Sequence, residues 1–220
     1  MSSKRGLILV LDMESALADS LAKRIVDMNQ FLLFRRWDMK VDVEAELATY
    51  QDHLKGIIIS GSGKSINGKT DPIPTVPQAI LGAGLPTLGL CYGMQYLAHI
   101  IGTPIIRCWD EHDPTKRTNE AAKKDKGEQG VTIFHRTADS PLFHGLGSSF
   151  PVWMMHNWML GDLPPNWIHT GRTDKCPIAA MERGNFYAVQ FHPEPGNSLF
   201  GRAILHNFFS HICGLTTPYF

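Results

Sequence analysis

Apolar residues along the 220-residue chain fall into two alternating patterns over its first half. Short β-rich runs, Gly6 to Leu11, Phe31 to Phe34, Gly56 to Ile59 and Leu85 to Leu90, read as buried strands. Between them, Leu17, Leu21, Ile25 and Met28 recur at helical spacing, with Lys23, Arg24 and Asp27 on the opposite side. Val43, Leu47 and Tyr50 predict a short helix, and 92–101 predicts another that begins directly after Cys91. Strands alternating with helices predict a parallel sheet with crossover helices. The second half changes character. Apolar pieces at 131–135, 150–155, 166–171, 177–182 and 186–191 are separated by Pro, Gly and Asn, which predicts a β-rich extension. A closing helix is expected from about Ser198 to Ile212.

Two segments break this pattern. A Pro-rich loop runs from Asp71 to Pro77, and the stretch 110–127 is dominated by charge with little to bury, so it reads as a solvated loop. Neither has the character of a domain linker, and one domain over 1–220 is expected. Composition narrows the chemistry: 21 basic and 21 acidic residues balance, so no net field draws the chain to a nucleic-acid backbone or an anionic membrane. The apolar run near the N-terminus is too short for a signal-peptide core, and no stretch has bilayer-spanning length. Cys91, Cys108, Cys176 and Cys213 are scattered without a CxxC pair, which suits a reducing, cytoplasmic setting.

Two motifs carry chemistry. Gly89-Leu90-Cys91-Tyr92-Gly93 has the form G-x-C-x-G, in which a side chain sits on a tight strand-to-helix turn between small residues. A sulfur there meets a helix N-terminus that favours thiolate, and the Tyr92 amide points where an oxyanion would form. Read alone, Cys91 is equally a buried structural cysteine. The second motif, Gln190-Phe191-His192-Pro193-Glu194, places an imidazole and a carboxylate at the end of a strand, where a thiol's base and its orienting group belong. His192 alone is equally a surface histidine. The order of the two motifs and their shared rim of the sheet make Cys91, His192 and Glu194 the candidate triad. The remaining histidines, among them His135, His144, His156 and His169, lack ligand-like spacing, so neither a metal nor another cofactor is expected. Gly63-Lys64-Ser65 mimics the end of a nucleotide P-loop, but the first glycine of that motif would fall on Ile58.

With these motifs, and with Pro151-Val152-Trp153-Met154 and Cys176-Pro177-Ile178-Ala179-Ala180, the chain resembles class I (triad) glutamine amidotransferases over nearly its whole length. Within that family it resembles the amidotransferase domain of GMP synthases. The resemblance implies an α/β fold of flavodoxin-like type, and hydrolysis of glutamine to glutamate and ammonia through a Cys91 thioester. It further implies an oxyanion hole at Tyr92 and Ser62. Glutamine contacts are implied at Gly61, Gln95, Gln129, Gly130, Met155 and His156. Ammonia would pass to an ATP-using synthetase; the chain has no Ser-Gly-Gly-x-Asp-Ser loop, so that partner is expected to be a separate polypeptide.

Three departures mark the surroundings of the triad. Ser60-Gly61-Ser62-Gly63 stands where these proteins have Ser-Gly-Gly-Pro, which predicts backbone strain at Ser62. Met155-His156-Asn157-Trp158 replaces Ser-His-Gly-Asp, and Asp12-Met13-Glu14-Ser15-Ala16 replaces Asp-Phe-Gly-Ser-Gln. Two other functions stay open on these grounds, a stand-alone hydrolase of γ-glutamyl amides and a catalytically silent regulatory subunit.

Overall fold

The computed structural model describes residues 5–67, 72–108 and 127–217. The charged stretch 110–127 therefore lies outside the described residues except for Gly127, as does the start of the Pro-rich loop. Strands β1 (Leu7–Asp12), β2 (Phe31–Arg36), β3 (Leu54–Ile59) and β4 (Thr87–Leu90) alternate with helices α1 (Ala18–Asp27), α2 (Val43–Tyr50), α3 (Gln78–Leu81) and α4 (Tyr92–His99). The second half contributes β5 (Ile105–Arg107), β6 (Glu128–Arg136), β7 (Ser149–His156), β8 (Trp158–Leu160), β9 (Ile168–Arg172), β10 (Ala180–Arg183) and β11 (Phe186–Val189), then α5 (Gly201–Asn207) and a π-helical turn at Phe208–Ile212.

Among the described residues nine strands form one sheet in the order β2-β1-β3-β4-β11-β10-β9-β6-β7. From β2 to β11 the pairings are parallel, and from β11 to β7 antiparallel. The β-rich extension is thus a continuation of the same sheet. Its return strand β11 inserts beside β4, with Val189 opposite Leu90. That single pairing brings the end of the chain to the strand that precedes Cys91.

Side-chain alternation divides the core in two, as a sheet covered on both faces requires. Ile8, Val10, Ile58, Leu88 and Leu90 face α1 and α5, whereas Leu9, Leu11, Ile57 and Ile59 face α4 and the short helices. Phe134 anchors the antiparallel half, its ring 5.0 to 5.3 Å from those of Phe143, Phe150 and Phe191. Tertiary context adjusts several sequence-based boundaries. β11 stops at Val189, so His192 and Glu194 occupy the loop beyond the strand rather than its last residues. The closing helix starts at Gly201 instead of Ser198. Arg24, placed by periodicity on the solvent side of α1, instead reaches back to donate to the backbone oxygens of Glu194 and Pro195, both at 3.2 Å.

Candidate active site

The turn at Cys91 explains the two glycines that flank it. A Cβ on Gly93 would lie 2.4 Å from the Ile59 carbonyl oxygen, and one on Gly89 would lie 2.8 Å from the Gly93 carbonyl carbon. α4 therefore packs backbone to backbone against β3 and β4, which only glycine permits. The cost of the turn falls on Cys91 itself, at φ 50° and ψ −101°, a conformation rare for a residue with a side chain and frequent at reactive positions. It is held there by its amide on the Val189 carbonyl at 2.8 Å and by its carbonyl, which accepts from the Gln95 amide at 3.1 Å. Tyr92 opens α4, so its N–H has no intrahelical acceptor. Its phenol is buried and donates to the Pro74 carbonyl at 2.7 Å; burial pushes its pKa up.

His192 and Glu194 arrive on the loop after β11. The His192 amide donates to the Trp153 carbonyl at 2.8 Å, which ties the loop to β7, while Arg24 ties it to α1. His192 Nδ1 and Glu194 Oε1 are 2.8 Å apart with both side chains buried. Nε2 is the nitrogen left over; it is buried and has no partner of ordinary hydrogen-bond geometry among the described residues. Burial taken alone would lower the imidazole pKa. The charge of Glu194, the nearby Cys91 sulfur and hydrogen bonding to both outweigh it, and the pKa lies well above the ordinary histidine value. The site therefore shifts the imidazole toward its charged form.

The other expected residues separate into those at the sulfur and those behind it. Gly61 is at it: a Cβ there would stand 2.9 Å from His192 Cε1 and 3.7 Å from Cys91 Cβ. Ser62 is not among the residues with positive φ, so the strain expected at this position is absent, and its hydroxyl accepts from the Lys64 amide at 3.0 Å. The Met155 carbonyl oxygen lies 3.9 Å from Cys91 Sγ, and the Met155 side chain is exposed. Gln129 is exposed and donates to the His156 carbonyl at 3.4 Å, and Gly130 adopts φ 87°. Gln95 is buried, its amide nitrogen on the Trp158 carbonyl at 2.6 Å and on Gln190 Oε1 at 3.1 Å.

His156 is enclosed rather than open to a ligand. Nε2 lies 3.3 Å from Glu128 Oε2, and Nδ1 lies 3.1 Å from the Trp158 carbonyl and 3.4 Å from Cys108 Sγ. Thr173 donates to the Glu128 carboxylate at 2.8 Å, and Cys176 is next to the pair. Spacing along the chain did not group His156 with ligand-type residues, but the fold does: Glu128, His156 and Cys176 offer atoms within 4.8 Å of one another. Those atoms are already engaged, since the carboxylate accepts from Thr173 and the Cys176 thiol donates to the Ile178 carbonyl at 3.3 Å. Sequence reasoning missed Glu128 and Thr173 as a buried pair, the clamp from Arg24, and Gln190, whose amide nitrogen lies 3.4 Å from Cys91 Sγ. Gln190 had a signal in its place inside the second motif, and Glu128 in its place beside Gln129 and Gly130, where the resemblance implies a wall of the site.

A strained cysteine at a helix N-terminus, at the C-terminal edge of a parallel sheet and beside a carboxylate-bound histidine, defines an α/β enzyme of the cysteine-nucleophile class. The family model "Glutamine amidotransferase class-I" matches residues 9–212, and the chain belongs to that family. It is 33% identical over 207 residues to a GMP synthase [glutamine-hydrolyzing] of Thermomicrobium roseum, covering 94% of this chain and 35% of that protein. To the enzyme of the same name from Mannheimia succiniciproducens it is 35% identical over 216 residues, covering 96% and 38%. The chain thus spans little more than a third of the length of these relatives. In structure it resembles a putative GMP synthase subunit of Thermoplasma acidophilum, with TM-score 0.72, 23% identity and coverage of 96% and 94%. A glutamine amidotransferase of Thermotoga maritima follows at TM-score 0.66, 16% identity and coverage of 94% and 82%. These two show the shared fold. Among the described residues no helix is long and apolar enough to cross a membrane.

Proposed function

We propose that the chain, acting as one amidotransferase unit in the cytoplasm, hydrolyses glutamine to glutamate and ammonia, with Cys91, His192 and Glu194 as its triad. The observation that carries this reading is the buried His192–Glu194 pair coupled to a cysteine in a strained turn. The Cys91 thiolate attacks the carboxamide carbon. Negative charge moves to the oxygen, where the Tyr92 amide and the 61–62 segment serve as donors. As the intermediate collapses the C–N bond breaks, and the imidazolium of His192 gives its proton to the leaving nitrogen, releasing ammonia. A γ-glutamyl thioester remains. Water then attacks it while His192 takes the proton, and glutamate departs with the sulfur restored as thiolate. Glu194 holds the ring so that Nε2 addresses these transfers.

The names of the relatives support a destination for the ammonia in purine biosynthesis: a synthetase partner resembling that of GMP synthase, which would use ATP. The test is ammonia release from glutamine by the purified chain and by Cys91→Ala, each with and without a candidate synthetase. Release that depends on Cys91 and rises with the synthetase supports the reading; equal release by Cys91→Ala overturns it.

A second reading rests on the altered stretch from Met155 to Trp158, whose Met155 carbonyl lies 3.9 Å from the sulfur and whose Met155 side chain is exposed where the resemblance would place a serine. An apolar rim there favours a different γ-glutamyl amide over glutamine. Faster turnover of such an amide than of glutamine, with no response to a synthetase, would select this reading.

A further inference from the structure

Gln190 is fully buried, and its amide nitrogen lies 3.4 Å from Cys91 Sγ. Sulfur at this distance accepts a hydrogen bond, and more strongly as thiolate than as thiol. Which end of an amide faces a neighbour is decided by its other bonds, and here these run in sequence. The Trp158 carbonyl can only accept, so the Gln95 amide nitrogen faces it at 2.6 Å. The second hydrogen on that nitrogen is directed at Gln190 Oε1, 3.1 Å away. The oxygen of Gln190 being so engaged, its NH2 group is the end turned to the sulfur. The Gln190 backbone is fixed too, its N–H on the Ala179 carbonyl at 2.8 Å.

We infer that Gln190 is a further catalytic residue, a buried neutral donor that stabilises the Cys91 thiolate, with Gln95 as the positioning residue that keeps its amide the right way round. This rests on the reading of Cys91 as nucleophile. The arrangement answers a specific problem. Two titratable side chains are coupled to the sulfur, His192 with Glu194 behind it on the loop after β11, and the Cys176 thiol before β10. The sulfur carries charge when it attacks and again when it leaves the thioester, and a donor without a titrating proton serves it at both points whatever proton His192 holds.

The test uses iodoacetamide, which reads the sulfur without requiring glutamine, followed by peptide mass spectrometry to isolate modification at Cys91. Gln190→Met removes the donor at similar length; Gln190→Glu keeps the acceptor for Gln95 and replaces the donor with a carboxylate. A hydrogen bond to a charged acceptor is worth roughly a factor of ten in equilibrium. Alkylation at neutral pH is therefore expected to slow about tenfold in Gln190→Met and further in Gln190→Glu, with the rate–pH profile displaced to higher pH and the alkaline plateau unchanged. Gln95→Met, which frees the Gln190 amide to rotate, is expected to give a smaller displacement in the same direction. A profile that superimposes on the wild type in a variant melting like the wild type overturns the inference. So does a lowered plateau with no displacement, which is the mark of a packing role. Should both Gln190 variants fail to fold, an undisplaced profile in Gln95→Met overturns it alone. Displaced profiles in a protein that releases no ammonia from glutamine would sustain the donor and defeat the glutaminase reading.

Discussion

A methyl group on Gly61 would stand 2.9 Å from Cε1 of His192. The loop after β3 therefore touches the imidazole with bare backbone, and the ring has no room to retreat because Glu194 holds Nδ1 from behind. Gly61→Ala must displace either the loop or the ring by several tenths of an ångström, and misplacement on the ångström scale costs on the order of 10²-fold in rate. We expect glutamine turnover in Gly61→Ala to fall by about that factor with little change in melting temperature. Gly63→Ala, two residues on and with nothing within 4 Å, is the matched control and is expected to turn over normally. Kinetics and melting curves of the two variants check the pair.

The raised pKa of His192 makes a prediction with a definite sign. Burial opposes the charged ring, and the charges of Glu194 and Cys91 together with their hydrogen bonds override it. Because the folded value lies above the unfolded one, the stabilisation held in this ion pair is complete below the unfolded histidine pKa. It is lost as pH rises through the folded value. Glu194→Gln keeps the shape and removes one charge. The alkaline limb of turnover is expected to move to lower pH in this variant, and the loss of stability on raising pH to start earlier. A pH–rate profile and denaturation at several pH values measure both; limbs that coincide with the wild type would show that Glu194 does not set the protonation of the ring.

Cysteine chemistry separates Cys91 from Cys176 and Cys213 by environment. Cys176 is fully buried, and its burial, with Glu128 nearby, holds its pKa well above the ordinary thiol value. Burial pushes Cys213 up to about 12. Neither forms appreciable thiolate near neutral pH, and thiolate is the reactive species. A glutamine-analogue electrophile is therefore expected to label Cys91, protected by excess glutamine, while Cys176 and Cys213 stay unmodified until the protein is unfolded. Intact-mass and peptide analysis gives the answer, and preferential labelling of Cys176 would contradict these environments.

How far these features could be read in the chain depended on what kind of interaction makes each one. Runs such as Leu7 to Leu11 and Gly56 to Ile59 announce buried strands because both faces of the sheet are covered, and G-x-C-x-G announces its turn because glycine is sterically compulsory at 89 and 93. The meeting of His192 with Glu194 beside Cys91 was legible because two motifs each carry part of it. The long-range contacts and backbone conformations around it were not. Arg24 falls on the polar side of a helical wheel, yet its long stem reaches a loop 170 positions away, and periodicity records only which side a residue leaves from. Ser62 was expected to be strained on the assumption of one backbone conformation, and the chain adopts another. His156 is grouped with Glu128 through the β6–β7 pairing, where they lie opposite each other in register, and register between distant strands has no local signature.

The packing of Phe134 offers a stability test independent of catalysis. A Cβ on Gly171 would fall 1.8 Å from Phe134 Cζ, so β9 carries a slot in which the ring lies. Phe134 also touches Phe143, Phe150 and Phe191, and the last of these precedes His192. Overpacking of a filled core costs about 1–3 kcal/mol, and the ring has no unfilled side to enter. Gly171→Ala is expected to lower stability by at least that amount, and Phe134→Leu paired with it to recover part of the loss. Urea denaturation of the two single variants and the double variant measures the coupling.

The buried pair of Glu128 and His156 links stability to the geometry at the sulfur. Both side chains are almost wholly enclosed. Glu128 accepts from Thr173, while His156 reaches the Trp158 carbonyl, the same oxygen that receives Gln95. Removing one partner of such a pair leaves polar atoms buried without a partner and costs about 1–3 kcal/mol. Glu128→Ala is expected to lose the upper end of that range, about 3 kcal/mol, in urea denaturation because it orphans both Thr173 and His156. Glu128→Gln keeps an oxygen for Thr173 and a polar group for the imidazole, so it is expected to lose about 1 kcal/mol. Because the segment from Met155 to Trp158 is held from the far side by this pair, Glu128→Ala should also lower turnover at a temperature where it is fully folded. Equal stability of the two variants would show that the cluster fills space and does not bind the segment, and the Met155 carbonyl would then owe its place near Cys91 to β6–β7 pairing alone.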